Sequence, residues 1–526
     1  MTDRPSTDVV IIGAGPTGLT LACDLTRRGF AVRIVERDQV PNRATRAKTI
    51  QPRSLEVLDD LGAVDHVLRH GVAKLPMRFH EASGAVVDKP PIAISAGDDV
   101  HTPYPDPLQI GQFHVEHALR QRLEELGAAV EFGAEVIGMD QDDDGVTVEL
   151  RTADREQTAR ARYVVGADGG KSSTRRFAGL PLVGTTYEEQ RWYLGDVTVG
   201  SELDRDHMHI WPSDQGMLGL TPLGDELWQF QSPLLPGEDP GVPSLEFYQQ
   251  LFDQRAGAGS VVLTSASWLS LYLVNVRMAE TFRKGRVLLA GDAAHVHSAA
   301  GGQGMNTGIQ DAYNLGFKLD SILNGALSTL LDTYSEERVP VARRVLAMST
   351  DKMAKAVAAA GGGEKELGSA LAGIGDGKMN TGLGIHYRDS RMTYPGGSEV
   401  TAGPRPGDRA PNVTGLQGEQ FHGDLFDLLR GMHYSLFVWD HSAPVIFDNA
   451  KPTHMHVHRI GPDSGSGSPM VDAKGEFQRV YQPYAGELIL VRPDGYLLAR
   501  IPAGQEMDLI NHLAPFRSIG NTVRPS

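Results

Sequence analysis

Apolar positions in this chain gather into short uninterrupted runs that lead into glycines. The first run, Val9–Ile12, lacks polar alternation, which is typical of a strand buried on both faces of a parallel sheet. A helix is predicted to begin near Thr17 and to end at Gly29, and a second strand follows at Ala31–Val35. The pattern therefore predicts an α/β fold that opens with strand, glycine turn, helix and strand.

Three glycines, Gly13, Gly15 and Gly18, join this strand to this helix in the arrangement GxGxxG. The first permits a tight turn, the second lets backbone approach a pyrophosphate, and the third lets helix and strand pack closely. Free N–H groups at the helix N-terminus then suit the phosphates. Glu36 ends the second strand, where a carboxylate accepts both hydroxyls of an adenosine ribose and disfavours a 2′-phosphate. The motif predicts a bound dinucleotide without saying which one.

The combination of a buried strand and a glycine-rich turn occurs twice more. One copy joins an apolar strand to an acid, glycines and a cluster of hydroxyl and guanidinium groups: Tyr163–Gly166, Asp168–Gly170 and Lys171–Arg176. The other feeds a predicted helix through a glycine-rich loop: Arg286–Ala290, Gly291–Asp292, Gly301–Asn306 and the helix Thr307–Leu319. Both suit phosphate or sugar groups. Three such turns indicate that one extended ligand is held from several places.

Alternating strands fill the segment between the second and third turns, 185–276. Their period of two puts His209, Trp211 and Trp228 on common faces, which predicts an aromatic and histidine surface lining a substrate pocket. Histidines recur at 207 and 209, at 295 and 297, and at 454, 456 and 458. No acidic partner stands near the 295 and 297 pair at helical or strand spacing, so structural roles are favoured there. For the other two groups solvated or pocket-lining faces explain the histidines, and no metal site is predicted.

Length, charge and cysteine content bound the remaining possibilities. A chain of 526 residues is expected to form two or three domains. Its 50 basic and 66 acidic residues give a net charge of −16, which disfavours nucleic acid or an anionic membrane as main partner. Neither a signal peptide nor a membrane-spanning run is evident, so a cytoplasmic location is expected. The single cysteine, Cys23, excludes an internal disulfide and a CxxxxC redox pair.

The three turn motifs together resemble a known family. GAGPTG at 13–18, GADGGKSSTRR at 166–176 and GDAAHVHSAAGGQGMNTGIQDAYNLGFKL at 291–319 resemble the single-component, group A FAD-dependent aromatic hydroxylases. The tail PDGYLLAR at 493–500 is similar to the branch that acts on phenols and aromatic polyketides and carries a thioredoxin-like C-terminal domain. With Cys23 as its only cysteine, this chain lacks that domain's redox pair.

The resemblance implies a Rossmann-like FAD-binding domain of the para-hydroxybenzoate hydroxylase type with an interleaved antiparallel-sheet substrate domain. We expect the FAD-binding domain to be discontinuous, over 1–75, 108–180 and 277–395. The substrate domain is expected at 76–107 and 181–276, with a Pro/Gly-rich linker at 396–411. A thioredoxin-like domain without redox cysteines is expected at 412–526.

The resemblance also implies roles for individual residues. Glu36 would hold the adenosine ribose, Asp292 the ribitol, and Asp168 with Arg175 both flavin and reduced nicotinamide. Backbone at Gly304, Met305 and Asn306 would face the flavin pyrimidine edge, where a helix N-terminus stabilises reduced-flavin anion. The remaining implied cofactor contacts are Arg37, Arg46, Gln112, Gly169 and Gly302. Ala299 and Ala300 are pocket candidates; Ala299 replaces a proline usual in the family, which relaxes the loop backbone.

The reaction implied is hydroxylation of a small phenolic or polyketide aromatic. NADPH or NADH reduces FAD transiently, O2 adds at flavin C4a, and the hydroperoxide passes its distal oxygen to a ring carbon. The protein positions the ring, aids phenol deprotonation and excludes water. No catalytic side chain is assigned by the sequence, and a monomer or homodimer is expected.

Two alternative functions stay open at this point. A Baeyer–Villiger oxygenase on the same fold would insert oxygen beside a ketone. A flavin protein without turnover would bind an unstable intermediate. A flavin halogenase is disfavoured because none of the five tryptophans stands in a GWxWxIP segment.

Overall fold

The computed structural model describes most of the chain in two compact units. The described residues are 7–91, 101–200, 203–213, 215–297, 302–360, 377–396, 402–449, 454–463, 465 and 468–516, with side chains at 188–190 and 352–360 left out. The first unit comprises Met1–Ser95, Asp106–Ala312 and Val341–Gly382. The second comprises Ala96–Pro105, Tyr313–Pro340 and Leu383–Ser526. Each unit is described separately below, and the three-domain division predicted from the sequence stays a prediction.

A mostly parallel sheet forms the centre of the first unit. Its strands, in spatial order, are Arg283–Lys284, Val287–Leu289, Glu156–Gly166, Thr7–Ile12, Val32–Glu36 and Val130–Phe132. An antiparallel hairpin, Glu135–Gln141 and Val146–Arg151, pairs with Glu156–Gly166. Val9, Val10 and Ile11 in the central strand are fully buried, as the unbroken apolar run predicted. The parallel pairs place the carboxyl ends of Thr7–Ile12, Glu156–Gly166 and Val287–Leu289 at one edge.

Helices occur in both units. In chain order they are Pro16–Arg27, Pro52–Leu61, Val64–His70, Gln112–Glu125, Ser173–Ala178, Leu245–Ala256, Gly304–Leu323, Asp332–Ala360, Gly377–Asn380, Leu425–Leu429, Glu476–Tyr481 and Glu506–Leu513. The unit boundary falls inside Gly304–Leu323 and Asp332–Ala360. Gly304–Leu323 begins one turn earlier than predicted, directly after the glycine-rich loop. Cys23 is buried in the first helix, and its Sγ donates to the Leu119 carbonyl at 3.2 Å.

An antiparallel sheet forms the second layer of the first unit. In spatial order its strands are His295–Val296, Leu263–Ala279, Leu182–Val199, Trp228–Pro233, Leu218–Pro222, Met208–Trp211, Met77–His80 and Val86–Lys89, and Met208–Trp211 pairs parallel with Met77–His80. A small sheet of Thr49–Ile50, Leu108–Gln109 and Val72–Ala73 accompanies it. The predicted strand-rich region is confirmed. The helix Leu245–Ala256 covers one face, where its Phe252 packs in a core with Trp211 and Phe230.

The second unit is built on a seven-stranded mixed sheet. The strands in spatial order are His422–Gly423, Leu416–Gly418, Met470–Asp472, Met455–Gly461, Tyr434–Trp439, Glu487–Val491 and Leu497–Pro502. Phe437, Trp439, Phe477 and Tyr481 form the middle of its core. The described part of the predicted linker is Gly396 and 402–411; there Arg409 and Ala410 are buried, and Ala410 belongs to this core. The thioredoxin-like identity of this unit stays a prediction.

A fully paired network of charges is buried in the second unit. The Glu337 carboxylate accepts from Lys318 Nζ at 2.8 Å and from Arg492 Nη1 and Nη2 at 2.8 and 3.0 Å. Arg492 also pairs with Asp494, and Ser390 Oγ donates to Glu337 at 2.7 Å. Burial alone would raise the pKa of Glu337, but the charges of Arg492 and Lys318 outweigh burial and hold this pKa below its ordinary value.

Among the described residues, none of the helices combines the length and the apolar character that crossing a membrane requires.

Candidate functional site

The three predicted turns come together at the carboxyl edge of the parallel sheet. The Ala167 N–H donates to the Ile12 carbonyl at 2.8 Å, and the Ala290 N–H donates to the Gly166 carbonyl at 2.9 Å. These bonds join the ends of three neighbouring strands, so the segments that follow them start side by side. The expectation that the turns share one edge is met by the backbone.

The three glycines of the first turn divide into two kinds. Gly13 has φ +103°, and a Cβ built there would overlap the Ala167 carbonyl; a Cβ on Gly18 would overlap the Gly13 carbonyl. Both positions therefore need glycine for packing. A Cβ on Gly15 meets nothing within 4 Å. Gly15 precedes the helix Pro16–Arg27, whose first N–H groups have no intrahelical acceptor, so open space and free donors coincide.

The predicted ribose-binding acid, Glu36, lies against the first turn. Its Oε2 accepts from the Ala14 N–H at 2.9 Å, and its Oε1 accepts from the Asp38 N–H at 3.1 Å. Arg37 points to solvent, with 68% of its side chain exposed and Asp38 at 4.0 Å. Glu36 is thus integrated into the turn, whereas Arg37 is a surface residue in this structure.

A buried carboxyl connects three predicted cofactor residues. Gln112 Nε2 donates to Glu116 Oε1 at 2.8 Å. Burial raises the pKa of Glu116 to about 7, the Gln112 hydrogen bond lowers it, and the charges of Glu36 and Arg46 shift it in opposite directions. Gln112 therefore contacts, and the charges of Glu36 and Arg46 act on, one side chain, Glu116, that the sequence analysis did not single out.

The second turn is tied together by its own acid. Asp168 accepts from Ser172 Oγ at 2.5 Å and Ser173 Oγ at 3.0 Å, and also from the N–H and Oγ1 of Thr174, both at 3.0 Å. These bonds hold Asp168 at the start of the helix Ser173–Ala178. Beside it, Gly169 has φ +75° and open space where a Cβ would stand. Asp168 thus shapes the turn, and Gly169 leaves room in front of it.

Arg175 joins the second turn to the third. Its Nη1 donates to the Ala293 carbonyl at 2.8 Å and its Nη2 donates to the Gly170 carbonyl at 2.9 Å. Two carbonyls from separate turns therefore share one guanidinium, which fixes the distance between them.

Thr17 of the first helix joins the first turn to the third. A Cβ on Gly291 would come within 2.6 Å of Thr17 Oγ1, and a Cβ on Gly308 would overlap the same atom. Glycine at both positions allows the two helices that follow these turns to approach each other closely.

Asp292 differs from the other acids of the turns because it is exposed. No described residue forms a hydrogen bond or ion pair with its carboxylate. Its Oδ1 lies 3.9 Å from a Cβ built on Gly304, the first residue of the helix Gly304–Leu323. An unpaired carboxylate beside a helix N-terminus has room to accept hydrogen bonds from a ligand.

Asn306 uses its side chain to hold a neighbouring segment. Its Oδ1 accepts from the Gln51 N–H at 2.8 Å, and its Nδ2 donates to the carbonyls of Thr49 and Gly302 at 2.9 and 2.7 Å. Gly302 has φ +62°. Asn306 and Met305 are buried in the first helical turn, whose N–H groups lack intrahelical acceptors.

His295 has an acidic partner that sequence spacing did not reveal. Its Nε2 lies 2.7 Å from Asp311 Oδ2, and the same oxygen accepts from the Gly291 N–H at 3.0 Å. Both side chains are fully buried. Asp311 comes from the following helix, sixteen positions along the chain, so tertiary packing creates the pair. A structural role for His295 agrees with the expectation, with a partner the expectation lacked.

The predicted pocket residues face away from the turns, into the core beside Leu245–Ala256. Trp211 meets Phe252 of that helix edge-to-face at a centroid distance of 5.0 Å, and Trp228 lies in the same core with 2% exposure. His209 Nδ1 lies 2.8 Å from His80 Nε2, and its Nε2 lies 2.6 Å from the Asp204 carbonyl. These contacts give Trp211, Trp228 and His209 packing roles. Ala299 and Ala300 lie outside the described residues.

The opposite face of the same sheet carries buried polar groups. Lys48 Nζ donates to Gln231 Oε1 at 2.7 Å and to Thr221 Oγ1 at 3.1 Å. Burial lowers the pKa of Lys48 to about 7. The Asp196 carboxylate accepts from the Thr45 N–H at 2.5 Å, and burial raises its pKa to about 7. Two groups that titrate near neutrality thus lie on this face.

These residues were missed by the sequence analysis, although one signal was present. In the strand Trp228–Pro233 glutamines alternate with aromatic residues, and Gln229 donates to the Thr45 carbonyl at 2.9 Å on the polar side. The alternation indicates a polar buried face, opposite to the aromatic one.

The polar face adjoins the third turn. The hydroxyl of Tyr272, on the strand Leu263–Ala279, donates to the His297 carbonyl at 2.9 Å. Burial raises the pKa of Tyr272, and the negative charge of Asp292 raises it further. The segment from Thr45 to Gln51 reaches both Asp196 and Asn306. The turns and the polar sheet face therefore form one continuous region of the first unit.

Comparisons with known proteins agree with this region. The family described as FAD binding domain matches residues 6–349. A flavin-dependent monooxygenase of Mycobacteroides abscessus is 38% identical over 506 residues, covering 94% of this chain and 98% of the relative. The 6-methylpretetramide 4-monooxygenase of Streptomyces rimosus is 33% identical over 519 residues, covering 94% and 90%. A solved structure of aklavinone-11 hydroxylase with FAD and aklavinone superposes with TM-score 0.80 at 25% identity, covering 98% and 99%.

Proposed function

This chain belongs to the FAD binding domain family and, within it, to the FAD-dependent aromatic monooxygenases, and on that premise we propose that it hydroxylates a phenolic or polyketide aromatic. Reduced nicotinamide, NADPH or NADH, would be the reductant and O2 the co-substrate. The observation that carries the proposal is the meeting of the three turns beside a polar sheet face. Bound there, FAD supplies the chemistry: it accepts two electrons from the nicotinamide and transfers one oxygen atom of O2 to the ring.

The residues of the turns fit an FAD molecule. The open space at Gly15 and the helix N-terminus behind it suit the pyrophosphate, with Gly13 and Gly18 keeping the turn compact. Glu36, beside this turn, suits the adenosine ribose, and the exposed Asp292 suits the ribitol.

Three further groups have more indirect roles in this proposal. The Asp168 carboxylate already accepts four hydrogen bonds within its own turn. We therefore propose that Asp168 holds the backbone at Gly169 in place and does not contact the ligand. Asn306 presents the first N–H groups of its helix while its side chain holds the segment around Thr49. Gln112 and Arg46 would contact the cofactor from their places around Glu116.

Lys48 is the side chain we propose for moving the substrate proton. A pKa of about 7 leaves about half of its Nζ groups unprotonated at neutral pH, so Nζ can accept a proton from a phenol. Its partners Gln231 and Thr221 hold it in place. Asp196, on the same face, gives a second group with a pKa of about 7. Water exclusion follows from the burial of this face.

The direct test uses purified protein loaded with FAD and supplied with NADPH or NADH, with a panel of phenols and polycyclic aromatics. The expected result is a yellow protein whose nicotinamide oxidation accelerates with an aromatic ligand. The product gains one oxygen atom that is labelled when 18O2 is used. A ring hydroxyl supports the proposal, whereas a lactone or ester product would assign Baeyer–Villiger chemistry. FAD binding without ligand-stimulated oxidation across the panel would favour a binding protein.

We propose that the protein is a monomer or a homodimer. Light scattering coupled to gel filtration distinguishes the two for a chain of 56.9 kDa.

A further inference from the structure

Four histidines from two helices gather at a place that the proposed reaction does not use. His66 and His70 are four positions apart on the helix Val64–His70, and His114 and His117 are three apart on Gln112–Glu125. Such spacings put each pair on one helix face. The ligand atoms of His66, His70 and His114 all lie within 4.8 Å of one another. Packing of the two helices thus brings separate imidazoles together.

The free nitrogen of the His70 ring can be identified. His70 Nδ1 lies 2.8 Å from the His66 carbonyl, which only accepts hydrogen bonds. Nδ1 therefore carries the proton, and Nε2 of a neutral His70 carries the lone pair. A backbone carbonyl is a usual partner for the second nitrogen of a metal-bound histidine because it fixes the tautomer and the ring orientation.

The other two rings have buried nitrogens without partners. His66 Nε2 and His114 Nε2 are shielded from solvent and form no hydrogen bond, and His114 as a whole is only 5% exposed. Buried polar atoms are normally satisfied, so the unpaired nitrogens of two histidines in this group indicate a missing partner. A metal ion, which accepts lone pairs from several imidazoles, is one such partner.

We propose that His66, His70 and His114 bind one zinc ion, His70 through its Nε2 atom, and so tie the helices Val64–His70 and Gln112–Glu125 together. Three imidazoles suit zinc, and a water or the exposed His117, whose ring centre lies 4.9 Å from that of His66, completes a tetrahedron. Zinc–nitrogen bonds of about 2.0–2.1 Å place ligand nitrogens roughly 3.3 Å apart. His66 and His70 are only partly buried, so their rings can rotate inward over the remaining distance.

The test uses the full-length, FAD-loaded protein without a polyhistidine tag, stripped of metal with a chelator and dialysed. Zinc chloride is titrated in competition with a fluorescent chelator. The wild-type chain is expected to take up one tight equivalent. H66Q and H70Q are each expected to weaken this site at least about a hundredfold, since even changes around a metal's ligands weaken binding about 10–100-fold.

The matched control is H456Q. His456 also stacks on a second histidine, His433, at 3.6 Å, but in the other unit and outside any three-residue ligand group among the described residues. This variant is expected to keep the tight equivalent. X-ray absorption at the zinc edge of the wild-type protein adds a readout that needs no variant, with three imidazole nitrogens expected at about 2.0–2.1 Å.

Three results would overturn the proposal: no tight equivalent in the wild type, unchanged zinc affinity in folded H66Q and H70Q, or a zinc spectrum without imidazole ligands. Flavin absorbance and far-UV circular dichroism report whether each variant is folded. If a variant does not fold, the absorption spectrum of the wild type decides alone.

Discussion

The glycine turns of the first unit and the charge network of the second unit differ in whether their charged side chains have partners within the protein. At the turns, Asp292 is exposed without a partner among the described residues, and Gly15 faces open space. In the network, Glu337, Lys318 and Arg492 are buried and fully paired. The charges of the network are thus neutralised inside the second unit, whereas Asp292, which we propose for the ribitol, has no partner among the described residues. The difference separates folding from binding residues and predicts which substitutions damage which property.

The largest effect is expected at Glu337. E337Q removes the charge that Lys318 and Arg492 share, leaving two buried cations without their main partner. We expect a loss of about 3–5 kcal/mol in the free energy of unfolding, measured by urea denaturation. The control is E336Q, whose partner Arg391 is mostly exposed and whose effect should stay within about 1 kcal/mol. If both variants lost the same free energy of unfolding, the buried network would be no more important for stability than an exposed ion pair.

Asp196 is the intermediate case, because it lies in the first unit and is buried with one backbone donor, Thr45. Its folded pKa of about 7 exceeds the ordinary value of 3.8, so its contribution is full below pH 3.8 and is lost as pH rises to 7. Three pKa units correspond to about 4 kcal/mol. D196N should therefore flatten this fall of stability with pH, measured as the difference between variant and wild-type unfolding curves. Parallel curves between pH 4 and 7 would contradict the assignment.

Lys48 should change the stability with pH in the opposite direction to Asp196. Its pKa is lowered from 10.5 to about 7, so the unfolded chain binds more protons between these values and stability rises with pH there. K48M should abolish this rise, of up to about 5 kcal/mol, in the same unfolding series. If Lys48 also accepts the substrate proton, K48M loses the inflection near pH 7 in kcat/KM. A variant with an unchanged pH–rate profile would leave Lys48 only a structural role.

A substitution at Gly15 tests FAD binding separately from folding. G15V places methyl groups in the open space, and the backbone at φ −74° accepts any residue, so the fold should survive. We expect FAD affinity to fall about a hundredfold, or about 2.7 kcal/mol, measured by flavin fluorescence. G18A is the contrast, because its methyl overlaps the Gly13 carbonyl and should reduce folded protein instead. Tight FAD binding by G15V would place the pyrophosphate elsewhere.

Asp292 carries the smallest predicted effect. D292N should leave unfolding unchanged within about 0.5 kcal/mol, because no described residue pairs with the carboxylate. FAD affinity should drop about tenfold, or about 1.4 kcal/mol, through loss of a charged acceptor. D168N should do the reverse: a donor nitrogen replaces one of the two oxygens that accept hydrogen bonds at the start of the helix Ser173–Ala178, which should cost about 1 kcal/mol of stability. Isothermal titration with FAD and thermal unfolding separate the two outcomes.

Local patterns were sufficient to predict the turns. The run Val9–Ile12 and the glycines after it determine strand, turn and helix by contacts between near neighbours, and the structure has each of them. The helix after the third turn was predicted to start three residues too late because the glycines that precede it gave no clear starting point.

Contacts between distant segments could not be predicted in this way. Alternation showed that Trp228 and Gln229 face opposite sides but not which side the helix Leu245–Ala256 covers. Thr45 and Asp196 are 151 positions apart. The histidine spacings at 66 and 70 and at 114 and 117 were visible, yet their meeting depends on how two helices pack. Side-chain contacts that arise only from tertiary packing cannot be recognised from the periodicity of the sequence.

The burial of Cys23 has a practical consequence for labelling the protein with spectroscopic probes. Its thiol is the chain's only one, is fully buried, and has its pKa raised to about 12 by burial. The thiolate is the form that attacks maleimide or nitroxide labelling reagents, so the native protein should stay unlabelled under mild conditions. A cysteine introduced at any exposed position would then take a fluorophore or spin label at a single site, with no need to remove the natural residue first.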